Sequence, residues 1–551
     1  MASVVTDGRS LCWRGIQYGI VCAIGLFILC FGTAASAAPT VTVEQGTLTG
    51  VDMGGVAVFR GVRYAMPPVG DLRWRPPQPV ARGQQQVDAT NFGSDCPQGT
   101  SPWGKPSTTE DCLFLNIYVP GGTDGLSEHA GELPVMIWLH GGGFSFGNGA
   151  AYDSTPLAQG GNVIVVTINY RLGALGLFAH PALDSEDHLL ANYALMDQQL
   201  AFEWVKHNIA AFGGDPANVT IFGESAGGDA VIAHLASPLA AGLFQKAIIH
   251  SGGTHYISLQ DSETVGVTLA GKVGCGQGSD AEVAACLRSV PVSQLIANEA
   301  TPIAAVIEGK MLPMSPAAAF AAGKFNHVPI INGTNHDEGR IVVALNYDLA
   351  EGVGPLQPGD YQSALQFFGP FLPGTGWASG DIPTITQEYP LGQYPSTDLA
   401  TAQVFTDGAL ACPALEVDNE LSRYVPVWAY EFNDVNAPVI VVPLESQKSF
   451  PYGATHFSEL QFLFNMSALT IPGTPGLSPA EQELSARMIR YWTSFATFGD
   501  PNGVKPSPHW RRFNHVAGTP MQSLDTPRPR PEFDFANDHK CDFWHVLGEG
   551  A

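Results

Sequence analysis

The chain has 551 residues, 45% of them hydrophobic and only 14% charged, which supplies a large core and excludes a disordered chain or a coiled coil. Length alone allows three or four average domains, although large α/β enzymes often exceed that average. With 26 Lys and Arg against 51 Asp and Glu, the formal net charge of −25 repels nucleic acid and anionic membranes.

The first 37 residues read as a secretory signal peptide. Arg9 and Arg14 open it, Ile16 to Phe31 is almost wholly apolar, and Ala35-Ser36-Ala37 offers the small residues a signal peptidase reads. Cleavage is expected after Ala37. The alternative of an uncleaved anchor is disfavoured by the short apolar run and the lack of stop-transfer charges. Cleavage discards Cys12, Cys22 and Cys30 of the nine cysteines. Cys96, Cys112, Cys275, Cys286, Cys412 and Cys541 remain, an even set in an exported chain that suggests three disulfides.

Beyond the leader, Val41–Val43 and Val56–Tyr64 read as antiparallel strands, and Leu113–Val119 as a further strand. The apolar runs Val135–Leu139 and Val163–Thr167 read as buried parallel strands. A helix is expected from Asn192 to Ile209, a strand at Val219–Phe222, a helix from Ala226 toward Leu235, and strands at Lys246–His250 and Pro329–Gly333. Residues 340–450 are Pro- and Gly-interrupted and read as helical and loop excursions over the sheet. A last long helix is expected over Ala480–Phe498.

Gly223-Glu224-Ser225-Ala226-Gly227 fits G-x-S-x-G between a strand and a helix, the context that holds a serine exposed on a sharp turn. The N–H of Ala226 then opens a helix and faces a developing oxyanion. His140-Gly141-Gly142-Gly143 follows a buried strand, and its bare backbone suits an oxyanion hole. It lacks the Lys-Ser/Thr pair of a phosphate-binding P-loop. A serine nucleophile needs a base, and the base a carboxylate. Asp337 and Glu338 both follow a strand, while His456, His509, His515, His539 and His545 all lie downstream, and order alone does not choose among them. His539 and His545 beside Cys541 could suggest a metal site, but with no second cysteine nearby both histidines are read as surface groups. Asn218, Asn332 and Asn465 each begin a glycosylation acceptor pattern.

Taken together, these motifs resemble the type-B carboxylesterases, the family that includes the cholinesterases. The resemblance rests on Phe59-Arg60-Gly61-Val62, Leu72-Arg73-Trp74, Glu110-Asp111-Cys112-Leu113-Phe114-Leu115-Asn116, Asn169-Tyr170-Arg171, Asp197-Gln198 and Phe212-Gly213-Gly214-Asp215-Pro216, in that order up to the serine turn. It implies an α/β-hydrolase fold: one catalytic domain over residues 38–551, with a large, mostly parallel central sheet flanked by helices and a small N-terminal antiparallel sheet. It implies Ser225 as nucleophile, Glu338 as acid and His456 as base, with Gly142, Gly143 and Ala226 as oxyanion donors. Glu224, Ser251 and Glu459 resemble the family's buried supporting network. The pairing implied is Cys96–Cys112, Cys275–Cys286 and Cys412–Cys541.

The activity implied is hydrolysis of a small-molecule carboxylic ester through an acyl-enzyme. It needs no metal or organic cofactor, no nucleic acid and, after cleavage, no membrane, and the protein would be secreted or periplasmic. Oligomeric state is left open. Alternatives are a binding protein on the same fold, a cholinesterase or a lipase. The triad positions are intact, the Cys96–Cys112 loop that carries Trp103 is shorter than in cholinesterases, and no amphipathic lid stands out. The chain also looks like exported bacterial esterases of xenobiotic or natural-product esters, among them those that strip tricarballylate arms from fumonisin mycotoxins. A polyanionic substrate of that kind would demand a local Arg/Lys cluster beside the site.

Overall fold

Apolar runs in the sequence become the middle of an 11-stranded sheet. The computed structural model describes residues 38–549 apart from 102–103, 129–131, 187–190, 254, 301, 351, 370–376, 441–448, 504–507 and 517. The expected signal peptide and Trp103 lie outside the described residues.

Seven strands run parallel among the described residues, in the spatial order Ile164–Ile168, Leu133–Leu139, Gly214–Glu224, Lys246–His250, Ile330–Asn335, Val427–Phe432 and Met521–Leu524. Six of them are buried along their whole length, and Gly214–Glu224 is buried over its second half, which is why most of them read as continuous apolar runs rather than alternating ones. Phe114–Pro120 and Val56–Arg63 continue the sheet antiparallel on one side, Val51–Asp52 completes that side, and Arg530–Glu532 closes the other side antiparallel to Met521–Leu524. Tyr193–Asn208, Ala226–Ala236 and Pro479–Phe498 are among the helices that flank it. The last opens on a Ser478–Glu481 capping box and ends at Gly499, whose φ of 71° is the left-handed terminator. This is the α/β-hydrolase arrangement that the motifs implied.

Three expectations need correction. The small N-terminal sheet is mixed rather than antiparallel: Thr40–Val43 pairs antiparallel with Gly46–Thr49, but Gln85–Asp88 pairs parallel. Val56–Arg63 belongs to the large sheet instead, where Phe114–Pro120 offers a longer apolar partner. Within 340–450, where only excursions were expected, Val427–Phe432 is a core strand as well as the helices Tyr361–Phe368, Thr397–Phe405 and Cys412–Leu421. Of the three acceptor asparagines, Asn332 is fully buried and donates to Asp418, which leaves no room for a glycan.

Two of the quoted motif pairs turn out to be ion pairs. Arg171 grips Asp197 with Nε and Nη2 at 2.8 and 2.7 Å, and Arg73 grips Glu110 at 2.7 and 2.6 Å. Such planar two-point pairing explains why arginine stands at each position. The disulfides Cys96–Cys112, Cys275–Cys286 and Cys412–Cys541 are all formed. The last spans 129 residues and so removes the most freedom from the unfolded chain.

His539 is not a surface group. It is fully buried, with Nδ1 at 2.6 Å from Asp407 and Nε2 at 2.7 Å from Glu431, which ties the C-terminal segment to the strand Val427–Phe432. Both ring nitrogens are thereby taken by carboxylates, while His545 lies exposed. Burial works against a charged ring here, but Asp407 and Glu431 outweigh it and push His539 up to about 10. Since folding raises its proton affinity, its contribution is complete below the ordinary imidazole value of about 6.5 and is lost as pH rises through about 10. We expect His539→Gln to lower stability at pH 7 by about 3–5 kcal/mol, because two buried carboxylates lose their cation. Denaturant unfolding checks this, and an unchanged midpoint would refute the ion-pair role.

Candidate active site

Ser225 stands where Gly214–Glu224 turns directly into Ala226–Ala236, with φ 56° and ψ −125°. A non-glycine residue at positive φ is strained by about 1–3 kcal/mol and persists only where its surroundings demand it. Here packing demands it. A Cβ on Gly227 would sit 2.0 Å from the carbonyl oxygen of Leu139, so the helix rests directly on the neighbouring strand's end. The Ser225 N–H donates to the His250 carbonyl at 3.0 Å, which pins the turn from the other side.

His456 and Glu338 meet beside this turn. Glu338 follows the strand Ile330–Asn335, is fully buried, and takes the His456 Nδ1 hydrogen bond at 2.5 Å on Oε2. Its Oε1 accepts the Asn335 N–H at 2.7 Å, which fixes the carboxylate plane. Asp337, the other candidate acid, is occupied elsewhere. It pairs with Arg340 at 2.7 Å and accepts the Ala454 N–H at 2.9 Å, so it holds the histidine loop in place instead of touching His456. The other end of the His456 ring, Nε2, lies 3.1 Å from Glu224 Oε1. Burial lowers the ring's proton affinity, yet Glu224, Glu338 and Glu459 together push it up to about 10. Burial pushes Glu224 up to about 8, with Glu459, Glu338 and Asp229 adding to it and His456 opposing.

Behind the pair runs a buried polar cluster. Glu459 Oε2 accepts from Asn335 Nδ2 at 2.7 Å, and its Oε1 lies 3.3 Å from His250 Nδ1. His250 Nε2 accepts from Trp492 Nε1 at 2.9 Å, so Nδ1 carries the hydrogen and faces Glu459 and the Tyr430 hydroxyl. His250, Asn335, Tyr430 and Trp492 had not been singled out. A histidine closing the otherwise apolar Lys246–His250 run was the one available signal. Ser251 is buried in the same neighbourhood, but its Oγ has no hydrogen-bond partner among the described residues.

Gly142, Gly143 and Ala226 come together on the wall of one cavity of about 370 Å³ that also holds Ser225 and His456. Gly142 has φ 111°, and a Cβ there would lie 2.1 Å from the Phe146 carbonyl oxygen, so only glycine fits. Phe144, Phe146, Ile303, Val342, Leu345 and Phe405 supply apolar wall, and no Lys or Arg lines the cavity among the described residues. Four of the eight non-glycine residues at positive φ among the described residues, Phe144, Ser225, Ser251 and Phe457, line this one cavity. Backbone strain is thus concentrated where a reacting group would sit.

The geometry is matched by what the chain is similar to. A family model described as the carboxylesterase family matches residues 37–544. The fumonisin B1 esterase of Sphingopyxis macrogoltabida is 34% identical over 490 residues, covering 85% of this chain and 84% of that one. The para-nitrobenzyl esterase of Bacillus subtilis strain 168 is 34% identical over 483 residues, covering 84% and 90%. Among solved structures, a PNB esterase superposes with a TM-score of 0.75 at 29% identity and covers 92% of this chain and all of its own.

The distances separate the two candidate acids experimentally. Glu338→Gln removes the charge opposite His456 Nδ1 and should lower kcat for a p-nitrophenyl ester by about 10³-fold or more. Asp337→Asn weakens the contacts to Arg340, His336 and the Ala454 N–H without touching His456, and its kcat should fall far less than that of Glu338→Gln. A reversed ranking would move the acid role to Asp337.

Proposed function

The chain belongs to the carboxylesterase family and is a carboxylic ester hydrolase, and we propose that it works by two-step acyl transfer on Ser225. The observation that carries this reading is the meeting of the Glu338–His456 pair, the strained Ser225 turn and the glycine run in one cavity. His456 Nε2 takes the Ser225 proton as Oγ attacks the ester carbonyl. The N–H groups of Gly142, Gly143 and Ala226 hold the tetrahedral oxyanion, and Glu338 steadies the imidazolium through Nδ1. His456 then protonates the departing alcohol, and water repeats the sequence on the acyl-enzyme.

Glu224 sets the working pH. Because its charge helps hold the proton on His456, and a base must be deprotonated to act, a charged Glu224 opposes catalysis.

We read the mature enzyme as one catalytic domain from Ala38 to Ala551, exported through the leader at 1–37. Support comes from its three disulfides, which form in oxidising compartments, and from the lack, among the described residues, of any helix long and apolar enough to cross a membrane. The substrate we assign is a neutral, mostly apolar ester of xenobiotic or natural-product type. A tricarballylate ester would bring several carboxylates beside Glu224 and Asp229 with no Lys or Arg among the described lining. A neutral ester meets no such repulsion.

Ser225→Ala should lower kcat by about 10⁴-fold or more while the protein still folds; retained turnover would overturn the mechanism. Glu224→Gln should move the acidic limb of the kcat/KM profile to lower pH, and an unmoved limb would remove Glu224 from control of His456. On a matched pair, a neutral ethyl ester should exceed the corresponding anionic half-ester in kcat/KM by more than about tenfold, and equal or reversed values would refute the neutral assignment.

A further inference from the structure

A second histidine–carboxylate pair lines the same cavity, apart from the triad. Asp229 lies one turn after Ser225 on the helix Ala226–Ala236, and its N–H donates to the Ser225 carbonyl at 2.9 Å. Its Oδ2 is 3.0 Å from His255 Nδ1, and its Oδ1 accepts the Gly253 N–H at 2.7 Å. Both carboxylate oxygens are therefore used, and the ring is held in one orientation. Both side chains are nearly buried, with 13% of His255 and 8% of Asp229 exposed, and both line the cavity. Nothing in the acyl-transfer sequence requires them.

The pair leaves one atom without a partner. His255 Nε2 is buried and makes no hydrogen bond among the described residues. An orphaned polar atom in a native site is costly unless a ligand completes it. The cavity wall carries two more such atoms, the Oγ of Ser251, itself 1% exposed, and the Oε1 of Glu224, which faces His456 of the triad. Away from the triad, His255 Nε2 and Ser251 Oγ stand in a wall that is mainly hydrocarbon, as points of recognition.

With the carboxylate facing Nδ1, that nitrogen carries the hydrogen, and Nε2 presents either a lone pair or a second N–H according to the ring's charge. A hydroxyl group can donate to the first and accept from the second. It also matches Ser251 Oγ in either sense. An ammonium could satisfy only the lone pair, and a carbonyl only the N–H.

From this geometry we infer that His255, positioned by Asp229, is a specificity residue that binds a hydroxyl group on the ester substrate. The preferred substrates are hydroxylated esters, neutral in charge and otherwise apolar. This inference rests on the esterase reading above, and its test separates the two.

The panel is ethyl butyrate, ethyl 3-hydroxybutyrate, 2-hydroxyethyl butyrate and the 2-ammonioethyl ester of butyrate, assayed on the full-length enzyme. At least one hydroxylated ester should exceed ethyl butyrate in kcat/KM by about tenfold or more. His255→Asn keeps an N–H toward Asp229 but has no atom at the Nε2 position, and the ratio should collapse toward one. His255→Gln places its amide near the Nε2 position, and part of the ratio should return. A wild-type enzyme that hydrolyses ethyl butyrate without preferring either hydroxylated ester overturns the proposal, whether or not the variants fold. A preference that survives in His255→Asn overturns it too, since recognition then lies elsewhere. A preference confined to the ammonioethyl ester would place recognition in the charge of Asp229 and also overturn it. No turnover of any ester would instead fault the esterase reading itself.

Discussion

Everything at this site depends on a turn with no room to relax. The strand Gly214–Glu224 ends and the helix Ala226–Ala236 begins with Ser225 alone between them. The helix can start there only because Gly227 lets its backbone touch that of Leu139. The same contact brings the strand that carries the glycine run beside the serine. A side chain at 227 would push apart the serine, its oxyanion donors and the sheet together. The strain at Ser225 is therefore maintained by two adjacent core strands, both buried where they approach the turn.

Charge is the second organising feature. Glu224, Glu338 and Glu459 surround His456 in a region with little water, and their repulsion is what makes the cluster responsive. Glu338 is held by the Asn335 N–H and has a fixed task. Glu459 is held by Asn335 and faces His250, which in turn is anchored by Trp492. Glu224 Oε1 and Glu459 Oε1 both lack a hydrogen bond among the described residues, and the first lies on the side that faces His456. The overall acidity of the chain carries through to the cavity, whose described lining includes Glu224 and Asp229 and no Lys or Arg.

Much of this was legible in the sequence because the relevant constraints are local. Gly223-Glu224-Ser225-Ala226-Gly227 announces a turn through residues that no other geometry needs, and the buried parallel strands announce themselves as unbroken apolar runs. The choice between Asp337 and Glu338 was not local. It depends on Arg340 and on the Ala454 N–H, more than a hundred residues away, and only the resemblance to a family anticipated it. The strand Val427–Phe432 was hidden because the Pro- and Gly-rich segments around it mask a six-residue run. His539 looked like a surface residue because its two carboxylates, Asp407 and Glu431, come from distant parts of the chain. The Asp229–His255 pair was invisible for the same reason, since 26 residues separate its members.

The central claim is that Ser225 alone is activated for covalent attack. Treating the native enzyme with an alkyl fluorophosphonate and mapping the product by peptide mass spectrometry tests it most directly. The account predicts one adduct per chain, on the peptide that carries Ser225, and none after the protein is unfolded before treatment. An adduct on a different residue, or a native protein that stays unlabelled, would contradict it.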